Sequence, residues 1–285
     1  MRPAMNSPDE APPNPFLSRG TPITPQSAGW ERVSFRLDEL APGESLEGRA
    51  DGEEIALVAL SGRITVEAHG ASWAFGRRAD VFDGPPEALY LPPGSEYRVV
   101  AESAAEWATC GAASDQAHEP RQIGASDYTV ELRGAGNAAR QVVTVMGPEF
   151  PADRLLVVEG WTPAGNWSSY PPHKHDVLDM PNENRLEEIY HYRVQTEHGF
   201  ALQRIYSPAR EVDESFPVRD RDTAMIPWGF HTTAAAPGHP LYYLNVLAGD
   251  ERALTALEDP DHSWVRDEWP RQPADARLPL FSVEP

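Results

Sequence analysis

The sequence predicts an all-β chain of the sandwich or barrel type, on three observations. Short segments rich in β-branched and aromatic residues recur at intervals of roughly ten residues, separated by Gly, Pro, Asn or Asp. Prolines number 29 in 285 residues, which disfavours long helices because proline removes a backbone donor and breaks a helix interior. Sustained helical periodicity is scarce, and only Gly249 to Leu257 reads as a short helix.

Taken in order, residues 1 to about 20 are rich in Pro, Asn and Ser, lack periodicity, and read as a mobile tail. Strand-like segments follow at Glu54–Leu60, Arg63–Ala68, Ala88–Leu91, Tyr97–Val100, Tyr128–Leu132 and Arg140–Val145. A second series comprises Leu155–Gly160, Leu186–Val194, Phe200–Tyr206, Thr223–Ile226 and Leu241–Leu247. The two series share a pattern: an acidic residue, an apolar run, then Pro-x-Gly. The first copy runs from Asp80 through Ala88–Leu91 to Pro92-Pro93-Gly94-Ser95-Glu96. The second runs from Asp222 through Thr223–Ile226 to Pro227-Trp228-Gly229-Phe230-His231. Aligned on Pro-x-Gly, Glu96 stands where His231 stands. This predicts a duplicated barrel, residues 21–145 and 146–285, whose second copy alone kept a histidine.

Composition narrows the function. A formal charge of −20 excludes holding nucleic acid or an anionic membrane by bulk electrostatics. The single cysteine, Cys110, cannot form an intramolecular disulfide, which excludes a stapled secreted scaffold. No apolar run approaches the roughly 18 residues of a membrane span, and the N-terminal residues lack the apolar core of a signal peptide. The expectation is a soluble cytoplasmic protein.

The chemistry gathers on three of the nine histidines. In Pro172-His173-Lys174-His175-Asp176 two imidazoles sit at i and i+2, which face the same side of a strand and can grip one metal ion. The alternative is a polar loop with solvated histidines. In Leu186-Glu187-Glu188-Ile189-Tyr190-His191-Tyr192-Arg193, alternation separates the two acids. Glu188 shares a face with Leu186, Tyr190, Tyr192 and Val194, suited to a barrel interior. Glu187 shares the other with His191 and Arg193, suited to solvent or a partner. A buried carboxylate needs a counter-charge, either a metal or an arginine, and Glu188 is expected as third ligand. The Pro-x-Gly turn lets His231 project back as the fourth. Such a set leaves open coordination positions, the mark of a catalytic site.

These residues resemble the cupin metal site. The longer stretches resemble, more specifically, the 5-deoxy-glucuronate isomerase family of bacterial myo-inositol catabolism. They are Gly165–Asp176, Pro181-Asn182-Glu183 with Leu186–Tyr190, Gly199–Tyr206, Tyr242–Gly249 and Asp259-Pro260-Asp261-His262 with Trp264. First-half landmarks are Ala28–Glu31, Val81–Pro85 and Arg133–Asn137. Two turn positions depart: the family's Gly-Asp is Arg221-Asp222, and its His-Pro is His231-Thr232. The resemblance implies a bicupin, one divalent ion (Zn, Mn or Fe), a homo-oligomer, and aldose–ketose isomerisation of a small anionic sugar acid through an enediol. The ion would polarise the carbonyl, and a base must take the C–H proton. Asp176 and Tyr192 are the candidates for that base; their alternatives are a loop cap or contact to a ligand histidine for Asp176, and barrel packing for Tyr192.

The substrate carboxylate requires a local cation in so acidic a protein. Arg204 is the first choice and Lys174, the only lysine, the second, although an outward ion pair suits Lys174 better. Tyr190 and Gln203 complete the expected substrate contacts. Gln203 lies on the face opposite Arg204, so only one of the two can face the pocket without a bulge. Another uronate or sugar-acid isomerase, or a metal-dependent cupin oxygenase, is the competing enzyme reading; a sugar sensor or storage protein fits less well.

Overall fold

The computed structural model describes residues 14–281. The strands up to the middle of the chain are β1 (Leu17–Arg19), β2 (Val33–Leu40), β3 (Ser45–Arg49), β4 (Glu53–Ser61), β5 (Ile64–Ala68), β6 (Ala71–Phe75), β7 (Ala88–Leu91), β8 (Glu96–Ala101), β9 (Ala105–Ala113) and β10 (Arg121–Ile123). There follow β11 (Thr129–Arg133), β12 (Arg140–Met146), β13 (Leu156–Thr162), β14 (Trp167–Lys174), β15 (Asp176–Asp179), β16 (Glu183–Val194), β17 (Ala201–Ser207), β18 (Val212–Val218), β19 (Asp222–Ile226), β20 (Phe230–Ala235), β21 (Leu241–Gly249) and β22 (Leu257–Glu258).

They form four sheets, two to each half. The first half pairs β10-β7-β4-β9-β2 against β3-β8-β5-β6. The second pairs β1-β19-β16-β21-β13-β12-β11 against β18-β17-β20-β14-β22. The order β7-β4-β9-β2 matches β19-β16-β21-β13, so the two Pro-x-Gly turns occupy equivalent places, after β7 and after β19. Their contents differ. In the first half Ile55, Leu57, Ile64, Phe75, Val99 and Trp107 fill the space between the sheets with apolar side chains. Glu96, the counterpart of His231, is exposed.

The continuous apolar run Ile55–Leu60 is explained by burial on both faces, which removes the usual alternation. One face fills the first barrel; the other, with Ala56, Val58 and Leu60, meets Val143, Val145, Ile189, Leu244 and Val246 of the second half in one shared core. β9 reads Ala-Glu-Trp-Ala-Thr-Cys-Gly-Ala-Ala, poor in β-branched residues, yet it is buried nearly throughout. Here close packing between layers overrides strand propensity.

Two carboxylates tie the halves together reciprocally. Glu54, on β4, accepts from the backbone N–H groups of Asp153, Arg154 and Leu155 (2.9, 2.6 and 2.7 Å), just before β13, and from the Tyr90 hydroxyl (2.9 Å). Glu187, on β16, accepts from those of Glu31, Arg32 and Val33 (2.6, 2.8 and 2.9 Å), at the start of β2. The partner that the Glu187 face suits is therefore the chain's own first half. His191 on that face lies 5.2 Å from the Phe35 ring, and burial, with Arg193 and Arg221 nearby, lowers its pKa to about 3. A buried pair, Arg78 with Glu159 (2.7 and 2.9 Å), adds a third tie.

Three expectations are corrected. The tail is not free to residue 20: β1 pairs with β19, and Phe16 packs edge-on to Trp228 at 5.6 Å. The rest of that expectation, residues 1–13, lies outside the described residues. β11 and β12 belong to the second half's sheet, so a break at 145 falls inside the β12–β13 pairing. Local pattern identifies a strand, not its neighbour. Finally, Gly249 to Leu257 is not a helix, for Asn184 claims its carbonyls: Nδ2 donates to those of Glu251 and Ala253 (2.7 and 2.9 Å), and the backbone N–H donates to that of Thr255 (3.0 Å). The arginine at the family's glycine position, Arg221, has a left-handed φ of 67°, the conformation for which glycine is suited.

Glu54→Ala leaves three backbone donors without their acceptor. It is expected to lower the unfolding free energy by about 3 kcal/mol, read as a lower urea midpoint at unchanged slope. An unchanged midpoint would contradict the clamp.

Candidate metal centre

β14 carries two consecutive prolines, which cannot donate to a ladder. It pairs with β20 through Trp167↔Ala234 and Ser168↔Thr233, then again at His173↔His231 after a shift of register. The intervening bulge sets His173 directly beside His231, with ring centroids 4.5 Å apart. Gly229 makes the turn into β20 with φ +87°; a Cβ there would meet the Tyr206 carbonyl oxygen at 2.8 Å, so only glycine fits. His175 lies just beyond the end of β14. Glu188 comes from β16, in the opposite sheet.

The four side chains converge. The ligand-type nitrogens of His173, His175 and His231 all lie within 4.8 Å of one another. Glu188 Oε2 is 2.9 Å from His175 Nε2 and 3.0 Å from His231 Nε2, and its Oε1 accepts from Asn245 Nδ2 at 2.7 Å. His175 Nδ1 faces the Leu186 carbonyl at 2.9 Å, and His231 Nδ1 faces the Gly229 carbonyl at 3.2 Å. Carbonyls only accept, so both Nδ1 atoms carry hydrogen and each ring turns its Nε2 inward.

Imidazole nitrogens and a carboxylate oxygen thus meet in a buried space. Burial opposes ionisation of Glu188, but the imidazoles of His175 and His231 outweigh it and hold its pKa well below the usual carboxylate range. Burial, together with His231 and His175, pushes His173 well below the ordinary imidazole value and keeps it neutral. His231 Nε2 is buried without a hydrogen-bond partner, since its approach to Glu188 lacks hydrogen-bond geometry. A cation at the centre would satisfy this orphaned atom. The residues fit a divalent metal ion, which His173, His175 and His231 could hold with Glu188 beside them.

A cavity of about 500 Å³ opens on this cluster. Tyr190, Tyr243 and Asn245 line it, along with Ser169 and Arg140. Tyr190 hydrogen-bonds Ser169 Oγ at 2.9 Å, and its ring lies 5.8 Å from that of His231. Of the expected substrate contacts, Tyr190 alone lines this cavity.

The others are placed elsewhere. Tyr192 is fully buried and donates to Gln203 Oε1, so the two satisfy each other inside the barrel core, away from the cavity. Tyr192 is a packing residue rather than a base. Arg204 points outward from β17, pairs through two bonds with Asp213 on β18 (2.8 and 2.7 Å), and stacks over Tyr206 at 4.1 Å. Alternation correctly separated Gln203 from Arg204, but it is Gln203 that turns inward. Lys174 is held by Asp176 and by both oxygens of Glu183, each at 2.7 Å. Asp176 also accepts from the Gly229 N–H at 2.8 Å, and so fixes the turn that delivers His231. It positions a ligand and does not reach the cavity as a base. The residue that sequence reasoning missed is Arg140, which opens β12 in a segment that reads as ordinary strand.

Two facing sheets in each half, with a metal-type cluster between the sheets of the second, define a bicupin. In fold the chain is similar to *Lactobacillus farciminis* oxalate decarboxylase, with a TM-score of 0.64 at 12% identity over 87% of this chain and 90% of that one. The chain belongs to the KduI/IolB family, whose model matches residues 15–265. It is 42% identical over 247 residues to the 5-deoxy-glucuronate isomerase of *Geobacillus thermodenitrificans* (86% of this chain, 90% of the relative). It is 35% identical over 246 residues to that of *Bacillus subtilis* strain 168 (85% and 91%). The crystal structure of an IolB-like protein from *Salmonella typhimurium* LT2 superposes with a TM-score of 0.86 at 37% identity, covering 88% of this chain and 99% of that one.

His173→Ala is expected to reduce metal retained after dialysis from stoichiometric to trace, measured by plasma mass spectrometry. Arg204→Ala should leave metal content unchanged and cost no more than about 1 kcal/mol of stability, as for an exposed pair. Full metal retention in His173→Ala would refute the ligand assignment.

Proposed function

We propose that the chain is a 5-deoxy-glucuronate isomerase, converting 5-deoxy-D-glucuronate to 5-dehydro-2-deoxy-D-gluconate in myo-inositol catabolism. Membership of the KduI/IolB family, with curated relatives of that activity matched over most of both chains, supports the reaction. The single structural observation that carries the metal-assisted form is the orphaned Nε2 of His231, facing two further imidazoles and a carboxylate. Zn, Mn and Fe all suit this donor set. Manganese(II) centres are described for *Bacillus subtilis* oxalate decarboxylase, which at 11% identity shares the fold.

Aldose–ketose isomerisation moves a proton between neighbouring carbons through an enediol. A bound divalent ion supplies Lewis acidity toward the carbonyl and the developing negative charge. The chain's own groups do the rest. Burial, with Glu188 and Tyr243 nearby, pushes the Tyr190 hydroxyl well above its ordinary pKa, so it stays protonated. Beside the histidines, it is a hydrogen-bond donor for a substrate oxygen. Tyr243 and Asn245 form the adjacent wall, and Asn245 holds the far oxygen of Glu188. The same reading makes the protein a cytoplasmic homo-oligomer acting on a small anionic sugar acid. Among the described residues, no helix is long and apolar enough to cross a membrane.

Proton NMR in deuterated water with 5-deoxy-D-glucuronate tests the proposal. Conversion to the ketose should occur, stop with chelator, and resume on adding back metal, with deuterium entering at the carbon that was the substrate's aldehyde. No conversion with added Zn, Mn or Fe would overturn the substrate assignment, and oxygen uptake would point to an oxygenase instead.

A further inference from the structure

We infer that Arg140 is the anchor for the substrate carboxylate, a reading that rests on the isomerase assignment and extends it. Arg140 is 8% exposed and lines the same cavity as His173, His175 and Glu188. Its hydrogen bonds run from Nη1 to two neutral acceptors, the carbonyls of Ala138 and Tyr170, at 3.2 and 3.3 Å. Its Nε is buried with no partner. The ionisable groups that act on it most strongly are Tyr243, Arg133, Tyr190 and Arg266, none of them a carboxylate.

The contrast with other arginines is informative. Arg78 is as deeply buried, but it holds Glu159 through two bonds. The other two arginines at the cavity are already engaged, Arg133 with Glu131 and Arg266 with Glu258. Only Arg140 presents an uncompensated guanidinium to this space, among the described residues. Withdrawing a cation from water without a counter-ion is costly, and the planar fork of a guanidinium matches a carboxylate. A protein of net charge −20 repels an anionic substrate at long range, so capture depends on a local cation.

The surroundings keep the fork open. Gly134 (φ +76°) turns the chain beside it, and a Cβ at that position would approach Arg140 Nη1 at 3.1 Å. Tyr190 neighbours both Arg140 and the His231 ring. A sugar acid held at Arg140 therefore runs along Tyr190, with its carbonyl end toward the histidines. This orientation uses the carboxylate as a handle remote from the reacting carbons.

The test compares 5-deoxy-D-glucuronate with its methyl ester, in wild type, Arg140→Gln and Arg140→Met. Wild type should prefer the acid. Arg140→Gln should lose roughly 10- to 100-fold in kcat/KM for the acid, mostly through KM, as expected for a lost charged hydrogen bond. Turnover of the ester and metal content should be nearly unchanged. Arg140→Met removes an unpaired buried charge at similar length, so it should melt no lower than wild type while losing the same preference. That pairing of retained stability with lost selectivity is not what a structural arginine would give. An acid-over-ester preference that survives in either folded variant overturns the inference, as does a Met variant that is strongly destabilised. If wild type converts neither compound, the isomerase assignment fails separately. Calorimetric binding of D-glucuronate then decides: it should be lost in Arg140→Gln, and its survival there rejects the anchor.

Discussion

β16 is covered on both faces, and that double burial decides where its charged side chains must go. One face lines the second barrel and the other lies against the first half. From Glu188 to Tyr192 neither face is wet, so a charge placed there needs a partner within the protein. Glu187 finds three backbone N–H groups at the start of β2, and Arg193 finds Glu106 (2.7 Å). Glu188, next after Glu187, has His175, His231 and Asn245 instead. A one-residue slip of register would exchange these roles and destroy both the clamp and the site. The first half is thus a structural half of the enzyme: its barrel is filled, and its sheet provides the wall that holds β16 in register.

The electrostatics of the centre follow from the same burial. A carboxylate kept ionised inside a barrel, next to imidazoles whose outer nitrogens are tied to carbonyls, is a set of electron pairs aimed at one point. The supporting network is equally specific. Lys174 bridges Asp176 and Glu183, and Asp176 in turn holds the Gly229 N–H. Residues that sequence position makes attractive as catalysts therefore serve to aim the ligands.

How much was legible in the sequence depended on whether a feature was local. Alternation along β16 is local, and it separated Glu188 from Glu187 correctly. The doubled Pro-x-Gly pattern is local, and it located equivalent strands in the two halves. Partners in other strands are not. Nothing near Arg204 announces Asp213 across the β17–β18 pairing, and nothing near Tyr192 announces Gln203. Asn184 reaching across to Glu251 and Ala253 overrode an apparent helix in the same way. Arg140 was invisible for the opposite reason: its distinguishing property is the partner it lacks, and absence of a counter-ion cannot be read from a strand's pattern.

The most direct measurement is X-ray absorption at the metal edge of the loaded protein. Three imidazole rings and one carboxylate should give a mixed nitrogen and oxygen shell with pronounced outer-shell scattering from the rings. One imidazole contribution should disappear in His231→Gln. A shell of oxygen alone, or a spectrum that His231→Gln leaves unaltered, would contradict a metal centre built on His173, His175, Glu188 and His231.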